Sequence, residues 1–192
     1  MDTLLSIGIG IGLAAACGFR VFVPLLVVSI AAHTNHLTLA PSFQWMGSDG
    51  ALIAFACATA VEVAGYYIPW VDHLLDTLAT PAAIVAGTIV SASVFTSMDP
   101  YLRWTLAVIA GGTAAGLVQG GTVVTRAAST ATTGGLGNPL VATGELILSG
   151  LFSVLLLALP FIGIALVALA LLFIARKVWK RYHPPAAVPA GA

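Results

Sequence analysis

Arg20 is the one charged residue between Thr3 and Ser48, in an otherwise apolar N-terminal run. Placing a guanidinium at bilayer depth costs between ~2.5 and more than ~10 kcal/mol, depending on how far it can snorkel. A residue of that cost marks a polar site by default. Glu62 is the second charge embedded in apolar sequence. Pairing the two would offset part of each cost. The chemistry open to such a pair is gating, or handling of an anion or a proton. The competing reading is a buried ion pair that locks the first two helices together.

A second constellation runs from Thr125 to Glu145, as TRAASTATTGGLGNPLVATGE. Thr130, Thr132, Thr133 and Asn138 supply hydroxyl and amide groups, while Gly134, Gly135 and Gly137 expose backbone N–H groups. Beside Arg126, such a stretch can cradle an anion as backbone nests do. The plain alternative is a polar surface loop. GGLGNP lacks the Gly-Lys-Ser/Thr of a nucleotide-binding loop. A third group, Asp72, His73 and Asp76, could hold a divalent ion or pass protons, since histidine titrates near neutral pH. It also fits the wet face of an interfacial helix. His33 and His36 find no third ligand nearby, so no metal site and no cofactor is expected. No Gly-x-Ser-x-Gly or His-Glu-x-x-His motif occurs, and no enzyme is expected. Cys17 and Cys57, without a CxxC or a Cys/His cluster, read as small packing residues.

The elements that must position these residues are membrane helices. The 192 residues are 59% apolar and 7% charged, with a mean hydropathy of +1.05. Soluble chains carry about 25% charged residues. The apolar runs are continuous rather than alternating, which points to helices and away from an outer-membrane barrel. Formal net charge is zero, which excludes a basic nucleic-acid surface. The n-region before Leu13-Ala14-Ala15-Ala16-Cys17 has no Lys or Arg, and the apolar run continues past Cys17, so it reads as a retained first helix.

The first apolar segment, Leu4 to Ala32, is expected to break or kink around Gly18–Pro24, with Arg20 inside the break. A polar linker, His33 to Gly50, follows. The second span is Ala51 to Ile68, ending in the interfacial aromatics Tyr66, Tyr67 and Trp70. Apolar residues at 71, 74, 75 and 78 predict a short amphipathic helix in the interface. A third span covers Ala82 to Ser97 and opens with Pro81. A fourth covers Leu102 to Thr125, framed by Arg103 and Arg126. The final block, Leu146 to Ala175, would make a helix of ~45 Å, longer than the ~30 Å hydrocarbon core. It is either one kinked helix or two spans meeting near Pro160.

The fold class is therefore all-α: a polytopic bundle of five or six spans with interrupted helices, one after Gly18 and one between Arg126 and Glu145. Residues 1–175 form a single transmembrane domain. Residues 176–192 form a basic tail with a disordered Pro/Ala-rich end, and Arg176, Lys177, Lys180 and Arg181 place it in the cytoplasm. Six spans put the N-terminus inside, and five put it outside. A weak internal echo, apolar-Pro-aromatic-apolar at Ile68–Val71 and again at Leu159–Ile162, hints at a repeat of the kind transporters use.

Gly18-Phe19-Arg20, the run Pro69-Trp70-Val71-Asp72-His73-Leu74-Leu75-Asp76, and Gly137-Asn138-Pro139 with Glu145 resemble the small bacterial inner-membrane proteins grouped as domain of unknown function 4126. The likeness covers roughly Leu4 to Ala175. It implies a bacterial inner-membrane location and no activity. Arg20, Asp72, His73, Asp76, Asn138 and Glu145 fall in its recurring segments, without assigned roles. The leading reading is a small transporter or channel for an ion or solute, with a polar path lined by Arg20, Glu62, Arg126, Thr130, Asn138 and Glu145. Two arginines lean toward an anionic solute. The partners expected are the lipid bilayer and, for so small a bundle, further copies of the chain. The rival reading is a non-transporting structural or lipid-interacting protein whose charges are packing pairs.

Overall fold

The computed structural model describes residues 3–182, with positions 69, 70, 72, 73, 170, 171, 174, 175, 177, 178 and 180–182 as backbone only. Every regular element among them is helical. The order is α1 (Thr3–Cys17), α2 (Phe22–His33), a 3₁₀ turn (Pro41–Gly47), α3 (Asp49–Gly65), α4 (Pro69–Val94), α5 (Pro100–Leu106), a π-helical segment (Ala107–Gly112), α6 (Thr113–Thr133), α7 (Asn138–Ala158) and α8 (Pro160–Tyr182). Proline opens the 3₁₀ turn, α4, α5 and α7, where its missing N–H would have been unpaired anyway. Asp99 caps α5 by accepting from the Tyr101 N–H, and Ser48 caps α3 by accepting from Ala51. Gly134, at φ +63°, closes α6 with its N–H on the Thr130 carbonyl, the left-handed stop that glycine permits.

Among the described residues, three helices are long and apolar enough to cross a bilayer: Leu74–Val94, Pro100–Thr133 and Asn138–Ala158. The pair Pro41–Gly47 and Asp49–Gly65, bent by 66°, makes a fourth if counted as one span. Thr3–Cys17, Phe22–His33 and Pro160–Leu169 are shorter apolar helices. The chain is a helical membrane protein. Large apolar side chains such as Ile53, Leu78, Ile109 and Phe161 lie exposed on its outside, as lipid contact requires.

The break after Gly18 is a full reversal. α1 runs antiparallel to α4 and α7: Ser91 donates to the Gly10 carbonyl, Ser149 donates to the Ala16 carbonyl, and Gly12 abuts Leu156. Past the break the chain turns back, so that Val23 lies beside Gly150 and residues His36–Thr38 share a pocket with Leu5 and Ile9. At 1.5 Å per residue the two arms are ~22 and ~18 Å long, each short of the ~30 Å core. Gly18 makes the reversal possible. A Cβ there would lie 2.5 Å from the Ala115 carbonyl oxygen and 2.6 Å from Val118 Cβ, so the hairpin tip seats directly on α6.

One sequence expectation is corrected and two are resolved in detail. The interfacial helix at 71–78 and the span from Ala82 are one 26-residue helix, α4, with Pro81 inside it. Proline removes one N–H from the ladder, but neighbouring helices in a bundle tolerate that. The interruption expected between Arg126 and Glu145 is present and narrow: α6 ends at Thr133, a tight turn spans residues 134–137, and α7 starts at Asn138. The block from Leu146 is two helices, of the alternatives posed, and α7 begins earlier, at Asn138. A Cβ on Gly163 would stand 2.9 Å from Leu156 Cα, whereas seven residues of straight helix advance ~10 Å. Thus α8 folds back on α7.

Candidate functional site

Five chain segments converge at the tip of the α1–α2 hairpin. Arg20, 2% exposed, donates from Nη2 to the Ala142 carbonyl of α7 at 2.8 Å and lies 3.5 Å from Glu145 Oε2. Its Nε and Nη1 are buried without a hydrogen-bond partner among the described residues. Glu62, near the end of α3, does not take Arg20 as a direct ion-pair partner among the described contacts. Its carboxylate accepts the Val21 N–H at 2.8 Å and the Phe22 N–H at 3.0 Å. It therefore caps α2 from a different helix, satisfying two of the donors that every helix start leaves open and placing negative charge at the positive dipole end.

Arg126 of α6 and Glu145 of α7 form the centre. Arg126 donates from Nε to Glu145 Oε1 at 3.1 Å and from Nη2 to Glu145 Oε2. This two-point geometry is the strong form of an arginine–carboxylate contact. Arg126 Nη1 also lies 3.6 Å from Asp76 Oδ1 on α4. The Tyr66 ring joins the two cations, with Arg20 Cζ 3.7 Å and Arg126 Cζ 4.2 Å from its centroid. Desolvated cation–π contacts of this kind contribute ~2 kcal/mol. The described cluster thus holds two guanidiniums and three carboxyl groups.

Of the residues expected to line a path, Arg20, Glu62, Arg126 and Glu145 come together. Thr130 and Asn138 bond each other across the α6–α7 turn, Asn138 Nδ2 donating to Thr130 Oγ1 at 3.2 Å. Asp76, expected at the interface, faces Arg126 instead. The side chains of Asp72 and His73 lie outside the described residues, as does the tail from residue 183 onward. Tyr66, expected at the membrane surface, is 6% exposed. Its only sequence signal is its place four residues after Glu62, one helical turn on. Arg103 was also missed as a buried group. It donates to the Phe95 and Met98 carbonyls at 3.0 and 2.9 Å, completing the chain end of α4 where carbonyls lack helical partners. Cys17 is buried and Cys57 exposed, both as free thiols.

Beside the cluster lies a cavity of about 660 Å³, lined by α6 and α7 with Phe19 and Phe173, and Glu145 is the charged residue in its lining among the described residues. No curated protein and no solved structure matches the chain. The sequence model of domain of unknown function 4126 matches residues 7–180. That match takes in the hairpin, the charge cluster and the helices that hold them, and the chain belongs to this family.

Proposed function

We propose that the protein is a small transporter in the bacterial inner membrane, moving an ion or small solute past the charge cluster at the hairpin tip. One observation carries the reading: Arg20, Glu62, Tyr66, Asp76, Arg126 and Glu145 are brought from five segments into one buried set, on a helix pair that enters the bundle and turns back. Packing alone does not call for so many charges, because well-packed apolar side chains of similar volume stabilise a bundle equally well or better. Broken helices with their termini aimed at intramembrane charges are the way transporter sites are built. Three carboxyl groups beside two guanidiniums favour a cation or proton over the anion that two arginines alone suggest.

In this reading α1–α2 is a re-entrant hairpin, and α3, α4, α5–α6, α7 and α8 are five crossings. The turns at 66–68 and 134–137 then share the cytoplasmic face with Arg176, Lys177, Lys180 and Arg181, as the positive-inside rule asks. The N-terminus faces the other side. Residues 1–175 act as one domain without enzymatic chemistry, and the protein works as a homo-oligomer.

The test is flux in proteoliposomes, scanning protons, potassium and chloride, with Glu145→Gln and Glu62→Gln as comparators. Proton or potassium flux that falls about tenfold or more in a folded Glu145→Gln variant supports the reading, a loss of ~1.4 kcal/mol or more. Absence of flux for every ion, with intact folding, refutes it in favour of a structural role.

A further inference from the structure

Arg20 is not alone in keeping open hydrogen-bonding capacity while buried. Thr59 Oγ1 on α3 is also buried without a hydrogen-bond partner among the described residues. Thr59, Glu62 and Tyr66 stand at i, i+3 and i+7 and share one face of α3 and its C-cap. The Arg20 guanidinium covers the Tyr66 ring at 3.7 Å, and Arg20 adjoins Val21, whose N–H Glu62 accepts. The Glu62 carboxylate is therefore bracketed by an unused hydroxyl on one side and unused guanidinium N–H groups on the other. Leaving a buried polar group unsatisfied costs ~1–3 kcal/mol. A swing of the carboxyl group toward Thr59 satisfies the hydroxyl and opens its seat to an anion beside the guanidinium.

That seat is built for an anion. It is the N-terminus of the 12-residue α2, whose Val21 and Phe22 N–H groups lie 2.8 and 3.0 Å from the two carboxylate oxygens. A helix start offers the same N–H groups and the same dipole to any anion. Glu62 is 6% exposed, so the space it would vacate is enclosed and about the size of a carboxylate, which suits a small monovalent anion. The titratable and charged groups that face Glu62 are Cys17 of α1, Arg20 of the break, Tyr66 beside it and Glu145 of α7. Beyond them stand Asp76 of α4 and Arg126 of α6. Arg126 takes both Glu145 and Asp76 as ion partners, whereas the described partners of Glu62 are two backbone N–H groups. Glu62 can thus take a proton without breaking a described ion pair. Once neutral, it loses the charge that favours the helix start and gains an O–H that Thr59 can accept.

We infer that the start of α2 is a binding seat for a small monovalent anion such as chloride or formate, which Glu62 fills when ionised and vacates toward Thr59 when protonated. One proton added to Glu62 and one anion added to the seat leave the charge of the cluster unchanged, so the two bind together. The inference goes beyond the transport reading and does not rest on it: the anion enters with a proton, in the place of a carboxylate.

The test is equilibrium dialysis of radiolabelled chloride and formate against the full chain in detergent micelles, at neutral pH and one unit below, with sulfate as comparator. Chloride and formate are expected to compete for a single seat and to bind about tenfold tighter per unit of pH fall, while the free protein keeps Glu62 ionised. Sulfate should not compete. Glu62→Gln removes the ionisable occupant, so it should bind chloride about tenfold or more tighter at neutral pH and lose the pH dependence. A carboxylate that only caps α2 predicts no chloride binding in either protein. Thr59→Val removes an unpartnered hydroxyl at nearly constant shape, so it should keep the unfolding temperature and weaken chloride binding about fivefold. Absent or pH-independent chloride binding in the parent chain overturns the proposal. So does unchanged or weaker chloride binding in a folded Glu62→Gln, or unchanged binding in Thr59→Val should Glu62→Gln fail to fold. Sulfate binding as tight as chloride also overturns it, because the occupant is then not limited to the carboxylate's space. Chloride binding with the expected signs but no ion flux sinks the transport reading and leaves the seat standing. Ion flux without chloride binding does the reverse.

Discussion

Removing the Glu145 carboxylate strands two guanidiniums at once. Arg126 loses both arms of its two-point contact, and Arg20 loses the only carboxylate among its described ion-pair contacts. Both side chains are nearly inaccessible, at 4% and 2% exposed, so water cannot replace the lost partner. Breaking a buried pair from one side costs ~3–5 kcal/mol, mainly because the remaining charge stays buried. Glutamine can accept one hydrogen bond, but its amide N–H₂ would face guanidinium donors. Glu145→Gln is therefore expected at the upper part of that range, as is Arg126→Met. The double variant removes the Arg126 charge but still strands Arg20, so the shared part of the loss is that of the Arg126 contact, and it should cost less than the sum of the two by about 2 kcal/mol or more. The assay is reversible unfolding of the four proteins in one lipid–detergent mixture, read by tryptophan fluorescence. A coupling below ~0.5 kcal/mol, the size expected of independent sites, would refute the claim that this pair is the centre of the cluster.

Glycine substitutions give opposite signs according to what an added Cβ would meet, close contacts at Gly18 and nothing within 4 Å at Gly121. Gly18→Ala should destabilise by ~1–3 kcal/mol because the new methyl meets the Ala115 carbonyl and Val118, while Gly121→Ala should be neutral or stabilising by up to ~1 kcal/mol; thermal unfolding of each variant compares them. Tyr66→Phe keeps the ring under both guanidiniums and should cost less than ~1 kcal/mol, whereas Tyr66→Leu removes two cation–π contacts and should cost ~2 kcal/mol or more in the same assay. For the topology, His36→Cys and Leu136→Cys in a background lacking Cys17 and Cys57 should react with an impermeant thiol reagent from opposite sides of the membrane. Labelling of both from one side would remove the five-crossing arrangement.

How much of the fold the sequence discloses depends on whether a signal is local. The reversal at Gly18–Val21 shows itself as a glycine and a proline flanking a lone arginine, because both residue types act on the backbone where they stand. Its depth does not show. Whether α2 continues α1 or doubles back is decided by Val23 meeting Gly150 and by His36–Thr38 meeting Leu5, contacts across more than a hundred and about thirty positions of chain respectively. Pro81 misleads for the opposite reason. Its local preference is to start a helix, and the packing of α4 against α1 and α6 overrides it, so an expected boundary is absent. The Thr/Ser/Gly composition of Thr125–Glu145 suggests a loop for the same reason. Thr125, Thr132 and Thr133 instead satisfy their hydroxyls on carbonyls three or four residues back, which lets polar residues ride on a continuous helix.

The candidate site divides along the same line. Arg20, Glu62, Arg126 and Glu145 are legible because an ionisable residue in apolar sequence carries a cost that composition alone reveals. Their partners are not legible, and the natural sequence pairing of Arg20 with Glu62 is the wrong one. Glu62 is drawn to the start of α2, where two N–H groups need acceptors, and Arg20 turns to α7, where Glu145 and the Ala142 carbonyl lie within reach. The tip is consequently held by a carboxylate from α3 on one side and by α7 on the other. Asp76 and Tyr66 complete the set only because α4 begins at the depth where α3 ends, a consequence of the short turn between them. Read from sequence, both belong to an interface; placed by that turn, they face the arginines. The depth of a charge in the membrane is thus set by the helices around it, and the residues that answer that charge are found by following those helices to the same level.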